Sequence, residues 1–296
     1  MNRILRPELN LAPSLNWQSK AVLLLFLPVL AAHLLLSLGS SLRLAPDYGL
    51  GKISATALIV GIALAALLGL IVWAARAATF GGALAGALVT ATFALATPGW
   101  CSTLWPLAAL LLMTLAGTRL GRRTKERIGV AEDRQGRQAA QVTANLGVAA
   151  MAALLLSFFS EHGLVLRLAL VAALAEAAAD TLSSELGQVL GGEPRLLTSL
   201  ARVPRGTDGA VTVAGTLCGW AAAATVVGVA SLALGLGLRS AVVVWLAAVL
   251  GGFFDSLLGA CCEQRGWLNN DAVNLLSTLF AACLAVLAYA KLAGGI

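Results

Sequence analysis

Apolar residues in this chain do not alternate with polar ones; they run on in long blocks separated by short polar breaks. The blocks are Lys20 to Gly39, Ile53 to Trp73, Gly81 to Ala96, Leu104 to Gly117, Gln141 to Phe159, Leu164 to Leu190, Ala210 to Leu234, Ala241 to Leu258 and Ala272 to Leu292. Crossing a hydrocarbon core about 30 Å thick takes roughly 20 helical residues, which most of them supply. The third and fourth are short and flank the turn Pro98-Gly99-Trp100, so tilted or half-spanning segments are expected there. Barrel strands would instead alternate over about ten positions, and backbone groups in lipid must be bonded within their own segment or a closed barrel. The pattern predicts an all-α fold, a polytopic transmembrane bundle of about nine helices.

Composition agrees. Hydrophobic residues make up 59% of the chain, charged residues 11%, and the mean hydropathy is +0.88, far from the balance of a soluble domain. The 31 glycines include the spacing Gly82-x-x-x-Gly86, which lets helix backbones approach closely. Residues 1–19 read as an N-terminal cytosolic segment and 20–296 as one transmembrane domain. The first apolar block ends in no clean small-x-small cleavage site, so it is expected to persist as a helix.

Charge orients the bundle. With nine spans and the N-terminus inside, the cytosolic segments collect 15 of the 20 lysines and arginines, leaving Arg43, Lys52, Arg167, Arg239 and Lys291 outside. This bias predicts a cytosolic N-terminus and an outer C-terminus, in an inner or plasma membrane. It also accounts for the net charge of +6 without any nucleic-acid partner. The five cysteines, Cys101, Cys218, Cys261, Cys262 and Cys283, lack metal-site spacing and read as structural thiols. Neither His33 nor His162 has a partner at ligand spacing.

Up to residue 117 the spans carry few unusual polar residues; from Arg119 to Asn274 polar clusters recur, each at a cytosolic helix end. The most informative is EAAADTLSSELG, which puts Glu176, Asp180 and Glu185 on an otherwise apolar helix. A charge in hydrocarbon costs on the order of 3 kcal/mol on insertion scales, so these carboxylates should face protein, water, a cation or a polar substrate. A basic loop, Arg119 to Arg137, leads into GRQAAQVTANLG, with Gln141 and Asn145 one helical turn apart. The loop Pro194 to Gly219 contains Arg205-Gly206-Thr207-Asp208-Gly209 just before a span; a glycine-flanked turn feeding a helix N-terminus suits phosphate. The fourth cluster joins Asp255 and Ser256 to Asn269, Asn270, Asp271 and Asn274 at the start of the last helix.

Each cluster has a structural alternative. Arg122, Arg123 and Lys125 read as topogenic charge, Asn270 or Asp271 as a helix cap, Asp208 as a turn residue, and Gln138 as interhelical glue. Asp180 and Asp255 are the hardest to explain that way. Carboxylates, asparagines, hydroxyls and arginines on one membrane face suit Mg²⁺ and phosphate, because Mg²⁺ takes one or two carboxylates plus substrate phosphates and arginine pairs with phosphoryl oxygens. Phosphoryl transfer from a cytosolic nucleotide to a lipid-soluble acceptor is the expected chemistry. The alternative is a cation- or proton-coupled transporter centred on Glu176; transporters tend to place such acids at the midplane within inverted repeats, and no convincing repeat is visible. A scaffold without catalysis fits poorly with several polar motifs on one face.

The ordered motifs GRQAAQVTANLG, AADTLSSELG, VPRGTDGAVTVAGTLCG, DSLLGA and WLNNDAVNLLST resemble the integral-membrane family known as domain of unknown function 92, from about Leu58 to the C-terminus. Its best characterised member is the phytyl-phosphate kinase of plant plastids. The resemblance implies a kinase that passes the terminal phosphoryl group of a nucleoside triphosphate, CTP in the plant branch and CTP or ATP here, to a phytyl- or geranylgeranyl-type monophosphate. Carried onto matching positions, it implies Asp180, Asp255 and Arg205 as catalytic residues. The implied Mg²⁺ ligands are Asp180, Glu185, Asp255, Asn270 and Asp271, with Arg137, Asn145, Thr207, Asp208 and Gly209 around the phosphates. The chain departs from the family pattern at Leu182, where tryptophan is common, and at Asp208, where asparagine is common.

Overall fold

Side-chain caps start several of the helices where the sequence changes from polar to apolar. Ser54 Oγ accepts the N–H of Ala57 (3.1 Å), Thr79 Oγ1 that of Gly82 (3.1 Å), Thr212 Oγ1 that of Gly215 (3.0 Å) and Asn269 Oδ1 that of Ala272 (2.9 Å). Each satisfies a backbone donor that has no partner within its own helix. A computed structural model describes residues 16–42, 54–129 and 136–292. Arg3, Arg6, Arg43, Lys52 and Arg134 of the charge argument lie outside the described residues, as do residues 1–15 of the N-terminal segment.

The helices are α1 (Asn16–Ser41), α2 (Ala55–Ala74), α3 (Phe80–Ala96), α4 (Leu104–Arg119), α5 (Arg122–Ile128), α6 (Ala139–Phe158), α7 (Gly163–Leu190), α8 (Val213–Leu234), α9 (Leu238–Leu258) and α10 (Asn270–Leu292). Among the described residues seven are long and apolar enough to cross a membrane. A further span forms if α4 and α5, bent by 57° at the break between them, count as one; α3, with 17 residues, is the short apolar helix. The expected polytopic helical architecture is therefore what the chain adopts, with its two shortest blocks as α3 and α4.

Contacts at the helix ends show the path of the chain. At one end the start of α1 meets the start of α10 through Gln18 and Trp267, and the end of α2 meets the start of α6 through Ala77 and Arg137. There too α4 and α5 meet the end of α7 through Lys125 and Glu185, and the starts of α3 and α8 and the end of α9 join them. Twelve of the fifteen described lysines and arginines lie at this end; Arg167, Arg239 and Lys291 lie at the other. Exposed tryptophans mark both rims, Trp17, Trp73 and Trp267 at the first and Trp100 and Trp105 at the second, the placement that suits amphipathic rings at membrane interfaces.

Helix α7 runs through the middle, packed by α4, α6, α8, α9 and α10, and its residues from Leu170 to Ala179 are buried without interruption. Its alanine-rich sequence lets neighbours come near, and α8 comes nearest. A Cβ at Gly215 would lie 2.5 Å from Ser183 O, and one at Gly219 would lie 2.7 Å from Ala179 O. This Gly-x-x-x-Gly pair seats the backbone of α8 directly on the carbonyls of α7, and no side-chain rotation relieves a clash with backbone. Gly219→Val should therefore destabilise the bundle by about 1–3 kcal/mol in thermal unfolding in detergent. Gly228→Ala in the same helix, where a Cβ meets nothing within 4 Å, should be neutral or slightly stabilising.

Candidate functional site

The segment between α7 and α8 folds back over the end of α7. Strand β1 (Arg195–Leu196) pairs antiparallel with β2 (Ala210–Val211), and the intervening loop carries Arg205 to Gly209. Gly206 and Gly209 have φ values of 81° and 72°, in the left-handed region where glycine is strain-free. Gly209 is also pressed onto the end of α9: a Cβ there would lie 2.2 Å from Ala260 N and 2.4 Å from Ser256 O. Gln264 Nε2 donates to Asp208 O (2.6 Å), Arg205 Nη1 to Gln188 O (3.1 Å) and Thr207 Oγ1 to Pro204 O (2.7 Å). The loop is thus held from both sides as the roof of a polar cavity of about 240 Å³ between α7, α8 and α9.

Asp180 from α7 and Asp255 from α9 form the floor of this cavity. Both side chains line the same cavity, and Asp255 Oδ2 is shielded with no hydrogen-bond partner. Glu263 joins them from a π-helical turn, Gly259–Glu263, that follows α9, and interacts with Asp208, Asp180 and Asp271. Wide turns of this kind occur often at functional sites. Glu263 was missed at the sequence level because it lies in the loop between Asp255 and Asn270 without a motif of its own. Arg205, Thr207, Asp208, Gly209 and Asn270 also line the cavity, so six of the expected site residues besides Asp255 meet here.

The remaining expected residues lie elsewhere. Arg137 and Asn145 line a second, mainly apolar cavity of about 130 Å³ on the other flank of α7, bounded by α2, α3, α4 and α6. The Arg137 backbone is clamped to α2 and α3, its N–H donating to Ala77 O (3.1 Å) and its carbonyl accepting from Thr79 N (3.0 Å), while its guanidinium acts electrostatically on Asp180. Asn145 Nδ2 donates to Gln141 O (2.9 Å) within α6. Glu185 is outside the polar cavity and is ion-paired to Lys125 Nζ, which also donates to Gly117 O (2.8 Å) and is 1% exposed. Asp271 accepts a hydrogen bond from Ser19 Oγ (2.6 Å), and Asn269 rather than Asn270 or Asp271 supplies the cap of α10 through its side-chain oxygen.

Two carboxylate residues lining a cavity roofed by an arginine and a glycine-rich turn form a donor set for a hard cation that is itself bound to an anion. Among the described residues no three His, Cys, Asp or Glu side chains are grouped to hold a metal ion on their own. A two-carboxylate set completed by water and phosphate fits Mg²⁺ nonetheless, because Mg²⁺ habitually binds that way.

Residues 63–282 match the family described as Integral membrane protein DUF92. The chain belongs to that family. An uncharacterized membrane protein of Synechocystis is 37% identical over 194 residues, covering 64% of this chain and 74% of the relative. One from Methanocaldococcus jannaschii is 38% identical over 122 residues, 41% of this chain and 51% of the relative. The chloroplastic protein VTE6 of Arabidopsis thaliana is 31% identical over 187 residues, 61% of this chain and 56% of its own length. No solved structure matches the fold.

Two predictions follow from the site's electrostatics. Breaking a buried ion pair strands the remaining charge, which costs about 3–5 kcal/mol; Lys125→Met should lose that much stability in detergent melts, and Lys125→Met combined with Glu185→Leu should recover most of it. Burial of the Asp208 carboxyl on the cavity rim raises its pKa above the usual value, an effect tempered by the residue's partial exposure. A raised carboxyl pKa in the folded state gives stability that is present at low pH and lost as pH rises through that pKa. The Asp208→Asn protein should therefore gain in melting temperature relative to the unmutated protein as pH is raised from 4 to about 7.

Proposed function

We propose that this protein is a membrane phosphotransferase that moves the terminal phosphoryl group of a nucleoside triphosphate, CTP or ATP, onto an isoprenoid monophosphate. The observation that carries the reading is the convergence of Asp180 and Asp255 on one cavity beneath the Arg205–Gly209 roof. Transferred onto this site, the family resemblance supplies the kinase activity and the acceptor class. The concentration of lysine and arginine at the same end of the bundle favours a cytosolic orientation, where nucleotide is available.

In the proposed reaction an oxygen of the acceptor phosphate forms a bond to the γ-phosphorus, and the bond from that phosphorus to the β–γ bridging oxygen breaks. The products are the prenyl diphosphate and the nucleoside diphosphate. The attacking oxygen is already anionic at neutral pH, so no side chain has to remove a proton. Asp180 and Asp255 are the residues that would hold Mg²⁺. When bound, the ion neutralises phosphate charge during transfer. Arg205 is fixed by its bond to Gln188 O, which leaves its other guanidinium donors to pair with phosphate oxygens. The backbone of the Gly206–Gly209 turn holds the triphosphate close, and the preset positions of these groups lower the barrier by orientation and electrostatics.

A cation- or proton-coupled transporter is the second reading, favoured by Glu176. That residue is 1% exposed in the middle of α7, and its Oε1 has no partner. The test is transfer of radiolabel from γ-labelled CTP, and separately ATP, to prenyl monophosphates by the purified protein with Mg²⁺. Asp180→Asn should reduce turnover by roughly 100-fold or more while the protein still melts cooperatively. Near-normal turnover in that variant would remove Asp180 from the machinery, and no transfer across the acceptor panel by the folded, unmutated protein would favour the transporter reading.

A further inference from the structure

The second cavity, on the opposite flank of α7 from the polar one, has a composition of its own. Its walls are Leu68 and Val72 of α2, Leu110 and Leu111 of α4 and Leu146 of α6, and its mouth is set with Arg76, Arg119, Arg122 and Arg137. It extends along α4 from Arg119 to Leu107, about 18 Å at ~1.5 Å per residue, the shape of a channel for a chain rather than a pocket for a compact ring. Helix α2 packs mainly on α3, and α4 mainly on α7 and α8, so these two flanking helices have little contact with each other. A long apolar molecule in the bilayer can therefore enter between them.

Arg76 shows that the mouth is not ordinary surface. It has φ of 55° at the point where α2 closes, with Arg76 N donating to Trp73 O (2.9 Å) and Ala77 N to Val72 O (3.0 Å). Helices usually end at such a left-handed position with glycine, because any Cβ is strained there. Here the chain holds an arginine in that strained conformation, at the rim of an apolar channel. Arg122 shares its charge with Glu126 (3.3 Å). Arg137 connects the two cavities: it lines the apolar channel, and its guanidinium acts on Asp180 of the polar one. On α7 itself Ala177 and Thr181 face the channel, while Asp180 and Ser183 face the polar cavity.

We infer that the apolar channel between α2, α3, α4 and α6 is the acceptor site, taking the tail of a linear isoprenoid monophosphate between α2 and α4 and its phosphate on Arg76, Arg119 and Arg137. The inference rests on the phosphotransferase reading for the identity of the ligand. It gives the protein a nucleotide side and a lipid side that adjoin where the Arg137 guanidinium acts on Asp180, so that the acceptor phosphate held by Arg137 can reach the γ-phosphorus, and it makes Arg76 a binding residue.

The test is equilibrium binding of tritiated geranylgeranyl monophosphate, and of geranylgeraniol as the uncharged control, to the full-length protein in lipid nanodiscs without nucleotide. Two variants probe the site. Arg76→Gly removes the charge and relieves the backbone strain, so it should melt at least as high as the unmutated protein yet bind the monophosphate at least about tenfold more weakly, a loss of about 1.4 kcal/mol. In Gly86→Leu, the new Cβ meets only Val142 Cγ1 at 3.9 Å and the rest of the side chain fills the channel; acceptor binding should fall by a similar factor while nucleotide affinity is unchanged. Binding and transfer that are unaffected by both variants would overturn the acceptor site and leave the kinase reading intact. Charge-dependent binding that both variants weaken, without any transfer from CTP or ATP, would sustain the site and overturn the kinase reading. Absence of saturable binding, or equal affinity for the alcohol, would overturn the inference.

Discussion

The close approach of α8 to α7 is the contact on which the site depends. Gly215 and Gly219 bring one helix backbone against the carbonyls of Ala179 and Ser183 in the other, and that approach fixes where the cap of α8 begins. Thr212 consequently lies over Gly187, where a Cβ would meet its Oγ1 at 2.9 Å. The loop preceding Thr212 has no course left but over the end of α7. At its far side Gly209 and Gly259 are in mutual backbone contact, since a Cβ on Gly259 would lie 2.6 Å from Gly209 N. Dispersion and close packing hold helices together in lipid, where apolar burial adds little. In this bundle the closest-packed region is also where the polar groups are gathered.

Acidic residues on a central helix are tolerable because the surrounding structure makes room for them and gives them polar company. Gly251 of α9 leaves space for Glu176, where a Cβ would come within 2.6 Å of Glu176 Cγ, and the Ser277 hydroxyl of α10 stays within its own helix, donating to Asn274 O (3.1 Å). Toward the basic end, Lys125 folds back from α5 to neutralise Glu185. Asp180 and Asp255 differ from Glu185 in that they face a cavity. Negative charge collected there is compensated by Arg137 from one side and, on the reading proposed here, by a cation brought with the nucleotide from the other.

The two cavities also differ in what they exclude. The polar one opens beneath a loop tied down by Gln264 and Arg205, whereas the arginine-rimmed channel lies among helices whose outer surfaces, such as Ile59, Leu67 and Ile71 of α2, are exposed to the bilayer. A water-soluble ligand and a lipid-soluble one can then approach from different media and meet at α7. Separation of this kind suits a reaction between partners that share no solvent.

How much of this was legible beforehand depends on whether a feature is local. Long apolar blocks determine transmembrane helices by themselves, because lipid leaves the backbone no other way to satisfy its hydrogen bonds; the motifs around Asp180, Arg205–Gly209 and Asp255 mark the family and the polar end in the same local way. Partnership was not local. Glu185 and Asp180 are five residues apart on one helix, yet one faces Lys125 and the other a cavity, and only the angular placement of α5, α8 and α9 around α7 distinguishes them. Glu263 gained its position from a π-helical turn, and Arg76, which reads as one more topogenic charge, was set on the rim of a channel by the closing turn of α2. The sequence by itself determined the membrane class, the helices and the family; the tertiary structure decided which carboxylates are neutralised, which remain available and where a second cavity lies, because those depend on neighbours distant in the chain.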